Sequence, residues 1–347
     1  MHEMSWGFLI VLYLFLAGVS AGAFATSAAV LLGSGERHRR TVAWGAFLAP
    51  FPAAVGTGLL VLDLGRPLAF YWLFTTLRPT SPMSFGVWFL TAFLIISVLY
   101  FFVWLPHGWR AAVARVLPKG WRAAAGGPDE GLRRTRRTLA GVGLPFAVGV
   151  AIYTAILLGA STRPLWGSPL MPLLFLFSAM STGLAGVMVS VLLARWTEAR
   201  AGAHVAAVPG TARAEAAAAS SGAHADPEMN LLLRGDLVLL GLELATLLLM
   251  ILYSRLGTLT ARKAWDVMLA GSYAWLFWLG PMLAGVLLPI VLEAAELRHH
   301  AHPARRPAPV PTVPTLGLLT GTLVLVGGFL LRYVIVYAGQ AFAWYTH

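Results

Sequence analysis

The residue best placed for chemistry in this sequence is a carboxylate at the end of an apolar run. Asp63 stands between the apolar run Trp44 to Leu62 and an aromatic connector that begins at Leu68. Ionisable side chains are rare in long apolar helices, and their rarity favours a functional role with an identifiable partner. Arg66 is the first candidate for that partner. The alternative is a structural ion pair that caps the end of the helix.

A second group of ionisable residues lies within the later apolar segments. Asp236 and Glu243 are seven residues apart, which places them on nearly one face of a helix. Arg234 and Arg332 are the two arginines within such segments. Two interpretations follow, a proton path from the cytoplasm or a set of buried ion pairs. The match of two arginines to two carboxylates favours the ion pairs.

Composition places these residues in a membrane protein. The chain has 347 residues, 58% of them hydrophobic and 11% charged, and its mean hydropathy is +0.75. One crossing of a bilayer takes about 20 apolar residues, so the length allows about eight helices with connectors. The net charge of +11 would suit nucleic acid, but the basic residues cluster in alternate connectors, as membrane topology requires. We therefore predict a multi-pass protein that contacts lipids and binds no nucleic acid.

The residues that commonly hold redox metals are missing from the sequence or unsuitably placed. Without cysteine, the protein cannot ligate an iron–sulfur cluster by thiolate. All nine histidines fall in tails or connectors, where they cannot serve as axial ligands to a haem at membrane depth. We therefore predict no haem, no iron–sulfur cluster and no metal site in this chain.

Eight apolar segments are long enough to cross a bilayer. Their predicted bounds are Trp6 to Leu32, Thr41 to Leu62, Phe85 to Leu105, Leu139 to Gly159, Pro172 to Arg195, Leu231 to Tyr253, Tyr273 to Glu293 and Thr315 to Gly339. The connector Leu68 to Ser84 is aromatic and contains prolines, which is typical of a short helix in the membrane interface. The sequence thus predicts an all-α integral membrane protein.

The longest polar connector divides the predicted segments unequally. Thr197 to Glu228 is rich in Ala, Gly and Ser without a periodic apolar face, which predicts a flexible cytoplasmic linker at 197–228. That linker separates residues 1–196, which hold five segments, from residues 229–347, which hold three. An alternative division comes from a faint internal repeat.

The repeat aligns Leu14 to Gly33 with Phe175 to Ala194 at a constant offset, and it matches Gly22 with Gly183. It predicts two parallel four-helix bundles, with structural halves at 1–160 and 172–347. Chance similarity between two apolar runs is the competing explanation.

Counts of lysine and arginine predict the orientation. The four odd-numbered connectors hold 17 basic residues and the three even-numbered connectors hold six. By the positive-inside rule, both termini then lie outside, in the periplasm of a bacterium. This orientation places Asp63 and Arg66 near the outer face.

Five motifs stand out along the sequence: YxFLAGxSAGA (Tyr13 to Ala23), LDLGRP (Leu62 to Pro67), SPMSxGxW (Ser81 to Trp88), YTxxLL followed by RPxW (Tyr153 to Trp166) and RYVIVYAG (Arg332 to Gly339). Together they resemble the NrfD-like family, the membrane subunits of polysulfide reductase and related respiratory complexes. The resemblance implies an eight-helix subunit without cofactors of its own. Such subunits exchange electrons between membrane quinone and a ferredoxin-like iron–sulfur subunit outside, and a molybdenum-type catalytic subunit usually lies beyond it.

The resemblance also implies roles for individual residues. A quinone, either menaquinone or ubiquinone, needs hydrogen-bond donors at its carbonyls and a group that exchanges protons. Asp63 is the predicted proton-exchange residue near the quinone, and Arg66 is predicted to influence its charge. Both are also predicted quinone-binding residues, together with Tyr13 and Tyr153. Tyr153 matches a quinone-binding tyrosine of segment four, while Tyr13 stands near positions where some members use histidine or asparagine. For both tyrosines, the alternative is an ordinary place in the interfacial aromatic belt.

The leading prediction is a quinone-binding anchor of a respiratory oxidoreductase in the bacterial inner membrane. By itself the protein is predicted to be non-catalytic toward the terminal substrate. A secondary transporter is the main alternative, because repeat-like halves and charged residues at membrane depth are typical of transporters. A purely structural anchor without a quinone site is the third possibility.

Overall fold

The structure is a computed structural model that describes residues 6–63, 82–114, 129–161, 163–206, 227–301 and 315–341. Every regular element within those ranges is helical. The helices are Phe8–Ser34, Arg39–Leu48, Pro50–Asp63, Pro82–Trp104, His107–Ala114, Asp129–Gly159, Met171–Ala206, Pro227–Leu256, Leu259–Leu269, Ala274–Phe277, the π-helix Trp278–Leu287, Leu288–Ala301 and Thr315–Ala341.

Eight helical stretches of the described residues are long and apolar enough to cross a membrane, which confirms the predicted all-α membrane protein. Numbered span 1 to span 8 in sequence order, they are Phe8–Ser34, Arg39–Asp63, Gly86–Trp104, Gly131–Gly159, Met171–Arg200, Pro227–Leu256, Ala274–Arg298 and Thr315–Ala341. We call spans 1 to 4 the first half and spans 5 to 8 the second half.

The helix of span 4 begins earlier than the apolar pattern indicated. It starts at Asp129 rather than near Leu139, and the added turns carry several exposed basic residues. Leu132, Arg136 and Ala140 are buried at intervals of four residues, so one face of this extension packs against the protein. Sequence hydropathy did not detect the extension because its outward face is charged.

The predicted flexible linker begins inside a helix. The helix of span 5 continues through Thr197 to Ala206, and the next helix starts at Pro227. The remainder of the predicted linker, 207–226, lies outside the described residues.

The predicted interfacial helix, Leu68 to Ser84, is largely outside the described part of the protein. Residues 64–81, which include Arg66, are not among the described residues. From Pro82 onward the connector belongs to the helix that forms span 3.

Two spans depart from a continuous α-helix, each at a proline. Span 2 consists of two helices that meet between Leu48 and Pro50. Span 7 contains the π-helix Trp278–Leu287, with Pro281 inside it. Proline lacks the N–H that an α-helix needs and displaces the preceding turn, so both departures have a local cause.

Spans 1 and 5 cross at the centre of the protein with their backbones in contact. A Cβ atom at Gly22 would lie 2.0 Å from the carbonyl oxygen of Ala179, and one at Gly183 would lie 2.2 Å from the backbone of Gly22. A Cβ at Gly18 would lie 3.4 Å from the Cβ of Ala179. Each helix therefore presents two small residues four positions apart, the pattern that lets membrane helices pack closely.

Packing around this crossing follows the same plan in the two halves. Span 1 contacts spans 2 and 4, and span 5 contacts spans 6 and 8. Span 3 packs on span 4, as span 7 packs on span 8. Gly22 and Gly183, which the internal repeat pairs, are also the residues that meet at the crossing. Two four-span bundles joined through spans 1 and 5 stay a prediction.

Both described ends of the polypeptide meet at one end of the bundle. The backbone N–H of Trp6 donates to the side-chain oxygen of Gln340 at 2.8 Å, and the Gln340 amide donates to the Trp6 carbonyl at 3.0 Å. We call this the termini end and the other the opposite end. Because spans alternate in direction, spans 2, 4 and 6 finish at the termini end.

Candidate functional site

Two buried phenols lie together in the first half. Tyr13 of span 1 is completely buried, and Tyr153 of span 4 is 7% exposed. The two side chains are close enough to interact electrostatically. The Tyr13 hydroxyl has no hydrogen-bond partner among the described residues. We call Tyr13 and Tyr153 the phenol pair.

Two glycines make room for the phenol pair. A Cβ at Gly86 of span 3 would lie 1.7 Å from Cζ and 2.0 Å from the hydroxyl oxygen of Tyr153. At Gly56 of span 2, a Cβ would lie 3.4 Å from the Tyr13 ring. Gly86 is the glycine of the motif SPMSxGxW, so this motif packs directly against the Tyr153 side chain.

Asp63 lies at the termini end of the first half rather than beside the phenol pair. It is exposed at the last residue of span 2, and its carboxylate is 4.0 Å from the position of a Cβ on Gly7. Gly56 contacts Tyr13, and Asp63 follows it by seven residues, which is about 10 Å along a helix. The sequence suggested a carboxylate at membrane depth. The structure places it at the termini end, where span 2 finishes.

The motif RPxW at the start of the next connector has a structural role. The guanidinium of Arg163 donates to the carbonyls of Gly339 and Gln340, at 3.3 and 3.2 Å, in the last turn of span 8. The indole N–H of Trp166 donates to the carbonyl of Ile335 at 2.8 Å. The Arg163 guanidinium thus satisfies carbonyls that a helix C-terminus leaves free, and Trp166 bonds to a carbonyl one turn earlier.

An open cavity of about 280 Å³ lies next to Trp166. Its walls come from the end of span 4, the following connector and the start of span 5, and neither phenol lines it. The structure therefore does not join this cavity to the phenol pair.

The second half has a charged core centred on Arg332 of span 8. This arginine is 1% exposed, and it donates to the carbonyls of Leu14 and Gly328 at 3.2 and 2.7 Å and to the hydroxyl of Ser178 at 3.2 Å. Its guanidinium also lies 5.5 Å from the ring centre of Phe175. Arg332 therefore ties span 8 to both helices of the central crossing.

Glu243 of span 6 approaches Arg332 through a serine. The hydroxyl of Ser181 donates to the Glu243 carboxylate at 3.0 Å, and Ser178, which accepts from Arg332, lies beside the same carboxylate. The structure brings Glu243 and Arg332 into one polar cluster, with the serine hydroxyls between the two charges.

Asp236 and Arg234 are not brought together. Asp236 is completely buried, whereas Arg234 is exposed. The Asp236 carboxyl instead faces Glu293 of span 7, also completely buried, within hydrogen-bonding reach. Sequence analysis treated Glu293 only as the end of a segment. The recurrence of Glu293 and Glu296 one helical turn apart was the signal that could have identified it.

Glu228, another residue that sequence analysis did not single out, joins the halves at the opposite end. Its carboxylate accepts from the backbone N–H and the hydroxyl of Thr41, both at 2.8 Å, and from Arg195 at 2.7 Å. Thr41 lies in the first turn of span 2, where backbone N–H groups lack helical partners. Glu228 therefore stabilises the start of span 2 from the second half.

Comparison with known proteins gives a consistent result over the full length. The family model described as "Polysulphide reductase, NrfD" matches residues 1–209 and 216–343. The C component of the polysulfide reductase of Wolinella succinogenes is 30% identical over 354 residues, which cover 98% of this protein and 96% of the relative. Protein NrfD of Escherichia coli is 28% identical over 359 residues, with 98% and 96% covered.

A more distant relative matches about half of the sequence. The C component of the selenate reductase of Mesobacillus selenatarsenatis is 27% identical over 197 residues, which cover 52% of this protein and 46% of the relative. The family model and the full-length relatives cover all eight spans, and the chain belongs to the polysulphide reductase NrfD family.

Proposed function

We propose that this protein is the quinone-reactive membrane subunit of a bacterial respiratory oxidoreductase complex. Membership of the NrfD family supports the assignment. Two of the relatives are, by name, components of a polysulfide reductase and a selenate reductase. In this proposal the protein passes electrons between membrane quinone and an iron–sulfur subunit, and a molybdenum-type subunit acts on the terminal substrate.

The phenol pair is the observation that carries the proposal. A buried hydroxyl without a partner costs about 1–3 kcal/mol, so an apolar side chain would serve better at Tyr13 if packing were its only task. A phenol O–H is a suitable donor to a carbonyl oxygen, and it brings no charge into lipid. Tyr13 and Tyr153 therefore fit a ring that carries carbonyl groups, such as menaquinone or ubiquinone.

Different residues of the first half orient the quinone ring, pack the helices around it and exchange protons. A bound quinone supplies two-electron, two-proton chemistry at its oxygens. The Tyr13 and Tyr153 hydroxyls donate hydrogen bonds that orient the ring, and the packed glycines Gly56 and Gly86 keep the surrounding helices close. Asp63 exchanges protons with the solution, because it is exposed at the termini end of the first half. Arg66 follows it in sequence and is proposed to act on its charge.

The partner docks at the termini end in this proposal, on the periplasmic face of the inner membrane. Because the sequence contains no cysteine, clusters held by thiolates must belong to another subunit. The distribution of lysine and arginine supports an outward-facing termini end. Proximity of this end to Asp63 and the phenol pair would keep the electron path short.

The transporter alternative gains no support from the helix interruptions. Transporters with repeated halves place broken helices at matching positions in the two halves. Here the interruptions are at Pro50, in the second span of the first half, and at Pro281, in the third span of the second half. A purely structural anchor, the other alternative, leaves the unpartnered Tyr13 hydroxyl without a reason.

Purification from native membranes tests the proposal. We expect an iron–sulfur protein to copurify, and we expect a soluble naphthoquinol to reduce its clusters, as followed by electron paramagnetic resonance. The Tyr153→Phe variant should lower the rate of cluster reduction about fivefold, since one hydrogen bond contributes roughly 1 kcal/mol. Tyr333→Phe, at a partly buried tyrosine of the second half, is the matched control and should leave the rate unchanged. Equal rates in the two variants would contradict a role for the phenol pair.

A further inference from the structure

The second half holds two buried carboxyl groups in contact with one another. Asp236 of span 6 and Glu293 of span 7 are both 0% exposed, and their carboxyls face each other within hydrogen-bonding reach. None of the four carboxyl oxygens receives a hydrogen bond from any other described group. We call Asp236 and Glu293 the carboxyl pair.

The charged groups around the carboxyl pair do not neutralise it. Glu243 faces it from span 6 and Glu296 from span 7, and both are acidic. The buried cation of the second half, Arg332, is directed to the Leu14 and Gly328 carbonyls and to Ser178. Among the described residues, no lysine or arginine lies within ion-pair distance of Asp236 or Glu293.

Chemistry then specifies what binds between the two carboxyls. Two ionised carboxylates in contact repel each other strongly in an apolar interior and offer no donor to one another. One proton converts the contact into a charge-assisted hydrogen bond, in which the acid O–H of one residue donates to the carboxylate of the other. The ligand that fits the carboxyl pair is a proton.

A route to the pair leads from the opposite end of the bundle. Span 7 runs toward that end, and Glu296 follows Glu293 by one helical turn. Glu296 is only partly buried, and one of its carboxyl oxygens is enclosed without a partner. On the side of the carboxyl pair toward the central crossing, Glu243 and Ser181 extend the series of polar side chains as far as Arg332. The carboxyls thus extend from the opposite end toward the central crossing.

We propose that Asp236 and Glu293 form a proton-binding site of the second half, which exchanges with solution at the opposite end through Glu296. In each exchange, the pair gives its proton to ionised Glu296, which releases that proton to solution. Glu296 then takes a proton from solution and returns it to the pair, so charge and atoms balance. This site is separate from the phenol pair in the first half, and it does not depend on the proposed quinone function.

Infrared spectroscopy tests the site directly on the purified protein in lipid nanodiscs. Transfer of the wild type from H₂O to D₂O at neutral pH should shift the C=O stretching band of a protonated carboxyl. The double variant Asp236→Asn/Glu293→Gln should lack this band. The matched control, Asp266→Asn/Glu198→Gln, makes the same two side-chain substitutions at two exposed ion pairs and should retain it. Absence of the band from the wild type, or its persistence unchanged in the double variant, would overturn the proposal.

Two further variants keep the test decisive. If the double variant does not fold, Asp236→Asn alone can replace it. This variant leaves one carboxyl, Glu293, and should move the C=O stretching band because the acid loses its carboxylate acceptor. An unmoved band would count against the carboxyl pair. Glu296→Gln should slow deuterium exchange at the band at least about tenfold, as loss of a positioned proton-transfer group does. An unchanged exchange rate would refute the route through Glu296. These measurements require no quinone, so their outcome is independent of the first half.

Discussion

The two halves share a packing plan and differ in the chemistry of their polar residues. Ser20 of span 1 and Ser181 of span 5, matched by the internal repeat, each donate to the next span of their own half. Ser20 meets a backbone carbonyl, that of Ala49, whereas Ser181 meets the carboxylate of Glu243. One framework thus supports an uncharged polar site in the first half and a charged cluster in the second.

The difference shows how a membrane protein separates structural from ligand-directed polar groups. Arg332 has three hydrogen-bond acceptors within the protein and sits near aromatic rings, so its charge is accommodated by the fold itself. The Tyr13 hydroxyl has no such partner among the described residues. A buried polar group that is fully bonded stabilises the fold, and one that is not bonded indicates an interaction outside the protein.

The largest expected effect is the loss of Arg332. Arg332→Met keeps a long apolar side chain, but it removes the donors to Leu14, Gly328 and Ser178 and leaves Glu243 without its nearby cation. We expect a loss of about 3–5 kcal/mol in the free energy of unfolding, measured by chemical denaturation in detergent. Arg234→Met, at an exposed arginine of the second half, should change it by less than about 0.5 kcal/mol. Similar values for the two variants would refute the structural role of Arg332.

A smaller effect is expected at the crossing that the halves share. Gly183→Ala places a Cβ 2.2 Å from the backbone of Gly22, so spans 1 and 5 must separate. Overpacking of this kind costs about 1–3 kcal/mol, and it should lower the denaturation midpoint. The control is Gly241→Ala, because a Cβ at Gly241 meets no atom within 4 Å. If Gly183→Ala were as stable as this control, the close crossing would be wrong.

At Asp63 we expect no change in stability but a change in turnover. Asp63→Asn removes an exposed carboxylate, so the free energy of unfolding should stay within about 0.5 kcal/mol of the wild type. Quinol oxidation by the complex should fall about a hundredfold, the usual contribution of a proton-transfer group. Asp266→Asn, at an exposed carboxylate of the second half, should retain full turnover. Normal turnover in Asp63→Asn would remove Asp63 from the site.

Much of this architecture was predictable from sequence because the bilayer constrains it so tightly. The lengths of the apolar runs predicted all eight spans, and the absence of charge within most of them left few alternatives. Gly86 belongs to a motif recognised in the sequence, but its contact with Tyr153 depends on the packing of spans 3 and 4, which no local pattern reveals.

The charged residues were harder to predict because their partners come from other spans. Two arginines and two carboxylates suggested pairs, yet Arg234 is exposed and Asp236 meets Glu293. The rotation of each helix about its axis decides which residues meet, and apolar residues on all sides of a membrane helix give little information about that rotation. The sequence did place Asp63 at the end of the second apolar run, but its separation from the phenol pair depends on how spans 1, 2 and 4 pack.

The most direct test of the central claim compares the stability of Tyr13→Phe with and without a quinone analogue. If the Tyr13 hydroxyl is directed to a ligand, its removal should leave the ligand-free protein as stable as the wild type or about 1 kcal/mol more stable. The same variant should lose most of the rise in unfolding temperature that a hydroxyquinoline-type quinone analogue gives to the wild type. Destabilisation of the ligand-free variant together with an undiminished response to the analogue would contradict the assignment of Tyr13 to a quinone site.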